Sequence, residues 1–229
     1  MTPERFHKFI STLNRRQPDL SLLTDQMHKP RNIAALVRTA DAFGLMRVHM
    51  VRSKGQQQPY RGTAMGSQQW LEVRQHLSMT GAIQELQASG CQVFAAHWSD
   101  QAVQYREVDY TGPCVVLLGN EKSGVSEAAA DLADKHIIIP MVGMVESFNV
   151  SVAAAIILSE AQRQRADLGM YASCRLEQTE YWETFFKWAH PKVAAFCQKN
   201  GLAFPPVDHE TGEIVDASGW YAGIRDTNR

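Results

Sequence analysis

Apolar positions along this chain switch between a helical and a strand period, and the switching predicts most of its elements. TPERFHKFISTLNRRQ sets Phe6, Phe9, Ile10 and Leu13 on one side of a short helix. LSLLT follows as a short strand. In PRNIAALVRTADAFG, residues Ile33, Leu36, Val37, Ala40 and Phe43 recur at helical spacing, with Pro30 near the first turn and Gly44 as the stop. MRVHMVR reads as a strand, and SKGQQQPYRGTAMGSQQ as a long irregular connection rich in Gly and Gln. Strand WLEVRQ, helix SMTGAIQELQASG and strand CQVFAAHW continue the rhythm. After them come buried strand PCVVLLG, helix SEAAADLADK, strand HIIIP and the long helix of SFNVSVAAAIILSEAQRQRADLG.

This alternation predicts an α/β fold built on a mostly parallel sheet with helices on both faces. From about residue 170 the strand rhythm stops. LEQTEYWETFFKWAHPKVAAFCQKNG is expected to be helical and aromatic, and PPVDHETGEIVDASGWYAGIRDTNR to be an extended tail. The partition is therefore a short helical extension over 1–19, an α/β domain over 20–169, and a C-terminal helical extension and tail over 170–229.

Composition narrows the class. The chain has 229 residues, 45% of them hydrophobic, enough for a substantial core. Its longest apolar runs fall far short of the ~20 residues that span a bilayer, so it is expected to be soluble and cytoplasmic, with no membrane partner. Cys91, Cys114, Cys174 and Cys197 are widely spaced with no C-x-x-C pair, which suits reduced thiols and gives no reason to expect zinc or another metal. The net charge of −1 is unevenly spread. Residues 1–54 carry ten Lys/Arg against four Asp/Glu, and residues 72–134 carry three against nine. A basic end on a neutral protein can serve as a phosphate-binding face, because phosphate contacts depend on local field. Solubilising charge on exposed helices explains the same asymmetry.

In open α/β sheets ligands gather at the carboxyl ends of the strands. Three such ends stand out: AAHWSD, LGNEKSG and PMVGMVESFN. The second and third combine glycines, which admit a ligand close to the backbone, with the directional polar groups of Asn120, Glu121, Ser147 and Asn149. Capping and turn chemistry accounts for any one of these loops, and for all three less well. No G-x-G-x-x-G occurs, so a dinucleotide fingerprint is not the explanation. Ser147 and Asn149 raise the same choice at the head of the long apolar helix: helix caps, a polar binding edge, or both.

Taken in order, NIAALVRTADAFG (32–44), LLGNEKSGVSE (117–127) and IPMVGMVESFNVSVAAAIILSE (139–160) resemble the three motifs of the SpoU branch of SPOUT RNA methyltransferases. The resemblance extends over about residues 20–165. Length and the short extensions at both ends are most similar to members of the branch that methylate guanosine-18 of tRNA. The resemblance implies a deep C-terminal trefoil knot, a homodimer, and S-adenosylmethionine held largely by the backbone of the three loops. On this chain those contacts fall at Ala96, His97, Gly119, Asn120, Ile139 and Met141, with Phe148 beside the adenine. It also implies ribose 2′-O-methylation of tRNA. Ribosomal RNA, another tRNA nucleotide, or non-catalytic RNA binding by the same fold remain open.

The resemblance places Arg38 at the centre of the chemistry, with Asn32, Glu121, Ser147 and Asn149 around it. A ribose hydroxyl is a poor nucleophile until its proton is shared or removed, and an ordinary arginine stays protonated. Arg38 is therefore read as clamping the neighbouring phosphate and polarising the oxygen. Arg31 lies two helical turns from Arg38 on the same face, whereas Asn32 is rotated away and either shapes the helix entrance or orients the catalytic arginine. For RNA phosphates the candidates are Arg5, Lys8, Arg15, Arg16, Arg31, Arg163 and Arg165. Tyr181, Trp182, Phe185, Phe186 and Trp188 are read as packing residues in preference to base-stacking ones.

Overall fold

The computed structural model describes residues 1–27, 29–51, 69–120 and 122–227. In chain order its elements are α1 (Pro3–Leu13), β1 (Gln17–Thr24), α2 (Pro30–Ala42), β2 (Leu45–Val51), β3 (Glu72–His76), α3 (Met79–Ala88), β4 (Gln92–Ala96), β5 (Val103–Gln104) and β6 (Cys114–Leu118). They continue with α4 (Glu127–Ala130), β7 (Lys135–Ile138), α5 (Val150–Asp167), α6 (Gln178–Ala189), α7 (Pro191–Asn200) and α8 (Ala217–Thr227). The chain divides into two compact units, one of Arg16–Ser173 and one that joins Met1–Arg15 with Cys174–Arg229. The two extensions that the sequence partition kept separate thus belong to one unit.

In the larger unit all strand pairs are parallel, in the order β3-β2-β1-β6-β4-β7-β5. Period two along β6 divides its apolar side chains between two layers. Cys114, Val116 and Leu118 pack in one layer with Ile33, Leu36 and Val37 of α2 and with Ala154, Ile157 and Leu158 of α5. Val115 and Leu117 pack in the other with Ala82, Ile83 and Leu86 of α3 and Ala129 and Ala130 of α4. Every strand that follows β3 in the chain joins the β1 side of the sheet. Of these, β6 inserts between β1 and β4, and β7 between β4 and β5. The carboxyl ends of β4, β6 and β7 are thereby set side by side.

Two arginines expected at an RNA surface are structural. Arg16 and Arg165 are both fully buried. Arg16 donates to the carbonyls of Leu45 (2.8 Å) and Trp70 (2.9 Å) and pairs with the Asp41 carboxylate at 2.6 Å. Burial lowers its pKa, while Asp41 acts in the opposite sense. Arg165 joins the last turns of α5 to the turn before β6 through the carbonyls of Tyr110 (2.8 Å) and Gly112 (2.9 Å), and to β1 through Asp19 (2.6 Å) and Gln17 (3.1 Å). A guanidinium that satisfies buried carbonyls cannot also reach a phosphate, so the RNA-binding reading of these two residues is corrected.

Other differences have local causes. The helix expected over SEAAADLADK shrinks to the single turn α4, because Asp134 exchanges backbone and side-chain bonds with Val93 (Asp134 N–H to Val93 O at 2.9 Å, Val93 N–H to Asp134 Oδ2 at 2.7 Å) and steers the chain into β7. Strand β5, two residues long, carried no periodic signal. The expected tail ends in helix α8, where Asp216 accepts the Gly219 N–H at 3.0 Å. Helix α5 is not buried on all sides. Val150, Ala154, Ile157 and Leu158 enter the core, but Val152 is 44% exposed. The long Gly/Gln connection falls on 52–68, outside the described residues.

In the smaller unit Phe6 and Phe9 of α1 meet Phe185 edge-on at 5.6 and 6.1 Å, and Phe9 meets Trp188 at 5.8 Å. Phe185, Phe186 and Trp188 are buried, as the packing reading requires. The helical segment expected to begin at Leu176 breaks at His190, ahead of Pro191, into α6 and α7.

His49 of β2 is buried, with its Nδ1 2.9 Å from Nε2 of His76. Burial first, then His76, Arg74 and Arg47, push its pKa down from 6.5 to about 4, with Glu72 opposing. Between those two values the unfolded chain takes up a proton that the folded chain refuses. The contribution is therefore complete above pH 6.5 and is lost as pH falls toward 4. At ~1.4 kcal/mol per unit the loss is on the order of 3–4 kcal/mol. Urea denaturation at stepped pH is expected to show this decline, and His49→Gln to flatten it across that window.

Candidate active site

The carboxyl ends of β4, β6 and β7 open into a cleft of about 880 Å³. Its floor is aliphatic, from Leu118, Ile137, Ala153 and Ile157, and its rim is polar, from His97, Asn120, Glu146, Ser147 and Asn149. The parallel sheet puts these three loops together; a mixed sheet would send some of them to the opposite edge. Ala96, Gly119, Ile139, Met141 and Phe148 also line the cleft. All the described residues assigned by resemblance to the cofactor therefore meet in one place. Glu121 lies outside the described residues.

The loop after β6 is folded tightly on itself. Asn120 and Gly124 exchange both backbone bonds, at 3.0 and 3.1 Å. The Asn120 side chain accepts from the N–H groups of Lys122 and Ser123, both at 2.9 Å, and donates to Ser123 Oγ at 2.8 Å. A Cβ on Gly119 would lie 1.9 Å from the Gly124 carbonyl carbon, so only glycine admits this fold. Asp25 anchors the loop's far end. It is 1% exposed, follows β1, and accepts the Ser126 N–H at 2.9 Å.

Asn149 is the N-cap of α5. Its side-chain oxygen accepts from Ser151 N (3.0 Å) and Ser151 Oγ (2.7 Å), and its amide nitrogen donates to Asn32 Oδ1 at 3.2 Å. One residue thus caps α5 and ties it to the first turn of α2, and so does double duty. Ser147 is exposed on the rim and lies outside the cap bonds. Arg31 and Arg38 are exposed on α2, and among the described residues nothing pairs with Arg38.

His97 takes its backbone bond from the sheet, its N–H donating to Ile137 O at 3.2 Å. Burial, and then the neighbouring His136, lower its pKa, with Asp131 opposing, so the ring is neutral at physiological pH. Sequence reading missed Lys29, Trp98 and Lys122, which also line the cleft. The quoted strand-end loop contained Trp98, but no pattern distinguished it there. Arg5, Lys8 and Arg15 are exposed. Arg163 is exposed too, but its guanidinium spans Glu160 (2.7 Å) and Asp167 (2.8 Å), carboxylates that a phosphate would have to displace.

An aliphatic floor with a polar rim suits a nucleoside bearing a charged tail, and the geometry agrees with known proteins. Residues 19–159 match the model of the SpoU rRNA Methylase family, and residues 163–217 match that of the SpoU rRNA methylase C-terminal region. The tRNA (guanosine(18)-2′-O)-methyltransferase of Escherichia coli strain K12 is 43% identical over 227 residues, covering 98% of this chain and 99% of that one. A crystal structure from A. aeolicus, described as a TrmH/SpoU tRNA modifying enzyme, superposes with a TM-score of 0.76 at 38% identity, over 83% of this chain and 97% of the other. An AdoMet-bound rRNA methyltransferase from Sinorhizobium meliloti superposes with a TM-score of 0.58 at 29% identity, over 67% of this chain and 59% of the other. The converging loops, the glycine-dependent turn and this likeness along nearly the whole chain have one explanation: the chain belongs to the SpoU methylase family.

Proposed function

We propose that this chain methylates a ribose 2′-hydroxyl of tRNA, with guanosine-18 as the target and S-adenosylmethionine as the methyl donor. The observation that carries the reading is the meeting of the second and third family motifs with the loop after β4 at one cleft, the first motif being tied to its edge through Asn32 and Asn149, in a chain alike from end to end to a guanosine-18 enzyme. The donor would be held by the backbone of Ala96, His97, Gly119, Asn120, Ile139 and Met141, over the aliphatic floor and beside Phe148. Bound there, it supplies an electrophilic methyl group.

The chain's own residues supply position and charge. Arg38 clamps the phosphate beside the target ribose and draws electron density from the nucleophilic oxygen as its proton leaves. Its exposure and its lack of a partner among the described residues leave the guanidinium available for this. Asn32 and Asn149, joined to each other, fix the entrance of α2 beside the head of α5. Ser147 on the rim contacts the ribose, and Glu121 orders the site. Arg5, Lys8, Arg15 and Arg31 hold more distant phosphates, and Arg163 joins them only after releasing its carboxylates.

The active form in this reading is a homodimer. Val142, Met144 and Val145 on the loop before α5 are strongly exposed, and Val152 extends the apolar surface along the outer face of that helix. The family's trefoil knot belongs to the same reading and is supported by the late insertion of β6 and β7 ahead of α5. No helix among the described residues is long and apolar enough to cross a membrane, and a tRNA substrate puts the reaction in the cytoplasm.

Incubation with labelled S-adenosylmethionine and unmodified tRNA, followed by nuclease digestion and mass spectrometry, is expected to yield ribose-methylated guanosine at position 18. Label in ribosomal RNA alone would replace the substrate, and label in neither RNA would favour RNA binding without catalysis. Arg38→Ala is expected to lower turnover on saturating tRNA by at least ~100-fold while cofactor binding by equilibrium dialysis stays near wild type. Gly119→Ala is expected to do the reverse first, weakening cofactor binding because the 119–124 turn cannot close around a Cβ. Reversing charge at Arg5, Lys8 and Arg15 together is expected to weaken tRNA binding and reduce its salt slope by roughly 0.7–0.9 for each phosphate no longer neutralised. An unchanged slope would return these residues to a solubilising role.

A further inference from the structure

Trp98 is a large aromatic ring that the catalytic reading leaves without a task. It follows β4 on the rim of the cleft, with Ala96 and His97 behind it, and is 75% exposed. Loose chain does not explain that exposure, because the backbone is fixed on both sides of it. His97 N–H donates to Ile137 O at 3.2 Å, and Ser99 Oγ lies 2.7 Å from His136 Nδ1. His136 Nε2 in turn lies 2.9 Å from the Ala130 carbonyl, which makes it the protonated nitrogen and leaves Nδ1 to accept the Ser99 hydroxyl. Two neighbouring elements, β7 and the end of α4, therefore hold the residues on either side of Trp98 and keep its indole at the mouth of the cleft.

We propose that Trp98 is the stacking platform for the base of the nucleotide being methylated. The proposal rests on the reading of this cleft as a ribose 2′-O-methyltransferase site and adds to it the residue that receives the base. Trp98 sits at the rim of the cleft with three quarters of its surface exposed, so the ring is open to a group arriving from outside. The substrate brings such a group. A 2′-oxygen reaches the floor of the cleft only if its nucleotide leaves the surrounding stack, and the base attached to that ribose then needs a new π-face close to the rim. An indole on a backbone already fixed at the rim provides one, with only two side-chain torsions left to order. The neutral ring of His97 adds no charge that would compete for phosphate at this point.

The test places 2-aminopurine at the nucleotide that the wild-type enzyme methylates, in an otherwise natural tRNA. Fluorescence of the tRNA is followed on binding wild type, Trp98→Ala and Trp98→Phe in the presence of S-adenosylhomocysteine. Quenching is expected with wild type, partial quenching with Trp98→Phe, and bright unstacked fluorescence with Trp98→Ala. In steady-state assays on natural tRNA, Trp98→Ala is expected to raise KM for tRNA about 5- to 100-fold. Its affinity for S-adenosylmethionine by equilibrium dialysis and its sedimentation coefficient should stay at wild-type values. Unchanged quenching in Trp98→Ala would overturn the proposal. So would a loss of S-adenosylmethionine affinity as large as the rise in KM, which assigns the ring to the cofactor, or a change in oligomeric state, which assigns it to an interface. Failure of the wild-type enzyme to methylate any tRNA would instead remove the reading beneath the proposal, and the proposal with it.

Discussion

Every chemical feature of this molecule depends on the parallel pairing of β4, β6 and β7. In a parallel sheet each strand ends at the same edge, so loops far apart in sequence are forced into one neighbourhood. The chain uses this fully by inserting β6 and β7 between strands already laid down. The loop ends then need bracing against the sheet, and the braces are polar groups. Asp25 holds Ser126, Asn120 holds its own turn, and Ile137 holds His97. Each bond replaces water that a backbone N–H would otherwise need, which makes the loops rigid without making them apolar.

Helix α5 is secured at both ends by different chemistry. At its start, Asn149 caps the first turn and reaches Asn32 on α2. At its end, Arg165 satisfies two carbonyls of the 110–112 turn and the Asp19 carboxylate on β1. Between these anchors one face packs into the core while the other carries Val152 outward. Such a helix resists rotation, so the rim residues immediately before it keep their position relative to the strand ends.

Much of this was legible in the sequence, and the parts that were not share a cause. The α2 stripe from Ile33 to Phe43, the apolar run of β6 and the packing role of the α6 aromatics follow from periodicity, because burial on one face imposes a period. Two of the three strand-end loops were legible from glycines beside Asn and Ser, which let a backbone approach a ligand closely, and AAHWSD only from its place at a strand end. Burial of Arg16 and Arg165 was not legible, because an arginine that serves distant carbonyls has the same one-dimensional signature as one that serves a phosphate. Their partners, Trp70 and Gly112 among them, lie about fifty residues away in the chain. The fixed position of the chain around Trp98 was hidden for the same reason, as His97 and Ser99 on either side of it are held by Ile137 and His136 across the sheet edge.

The contrast among the arginines also bears on how the ribose proton is managed. Arg16 shows what this protein does to a guanidinium that it buries: desolvation lowers the pKa, and a carboxylate is placed beside it to oppose the change. A cation without such a partner in the interior would carry an uncompensated desolvation cost. Arg38 is exposed and has no carboxylate partner among the described residues. In the proposed role its fork of donors is open to a phosphate and to an oxygen gaining negative charge. A charged clamp that stabilises the oxyanion as its proton departs to solvent or to a phosphate oxygen therefore requires less of the surroundings than proton abstraction by the guanidinium. The assembled site would have to desolvate Arg38 strongly before the second route could compete, and burying it against an anionic RNA backbone would hold the proton on more firmly.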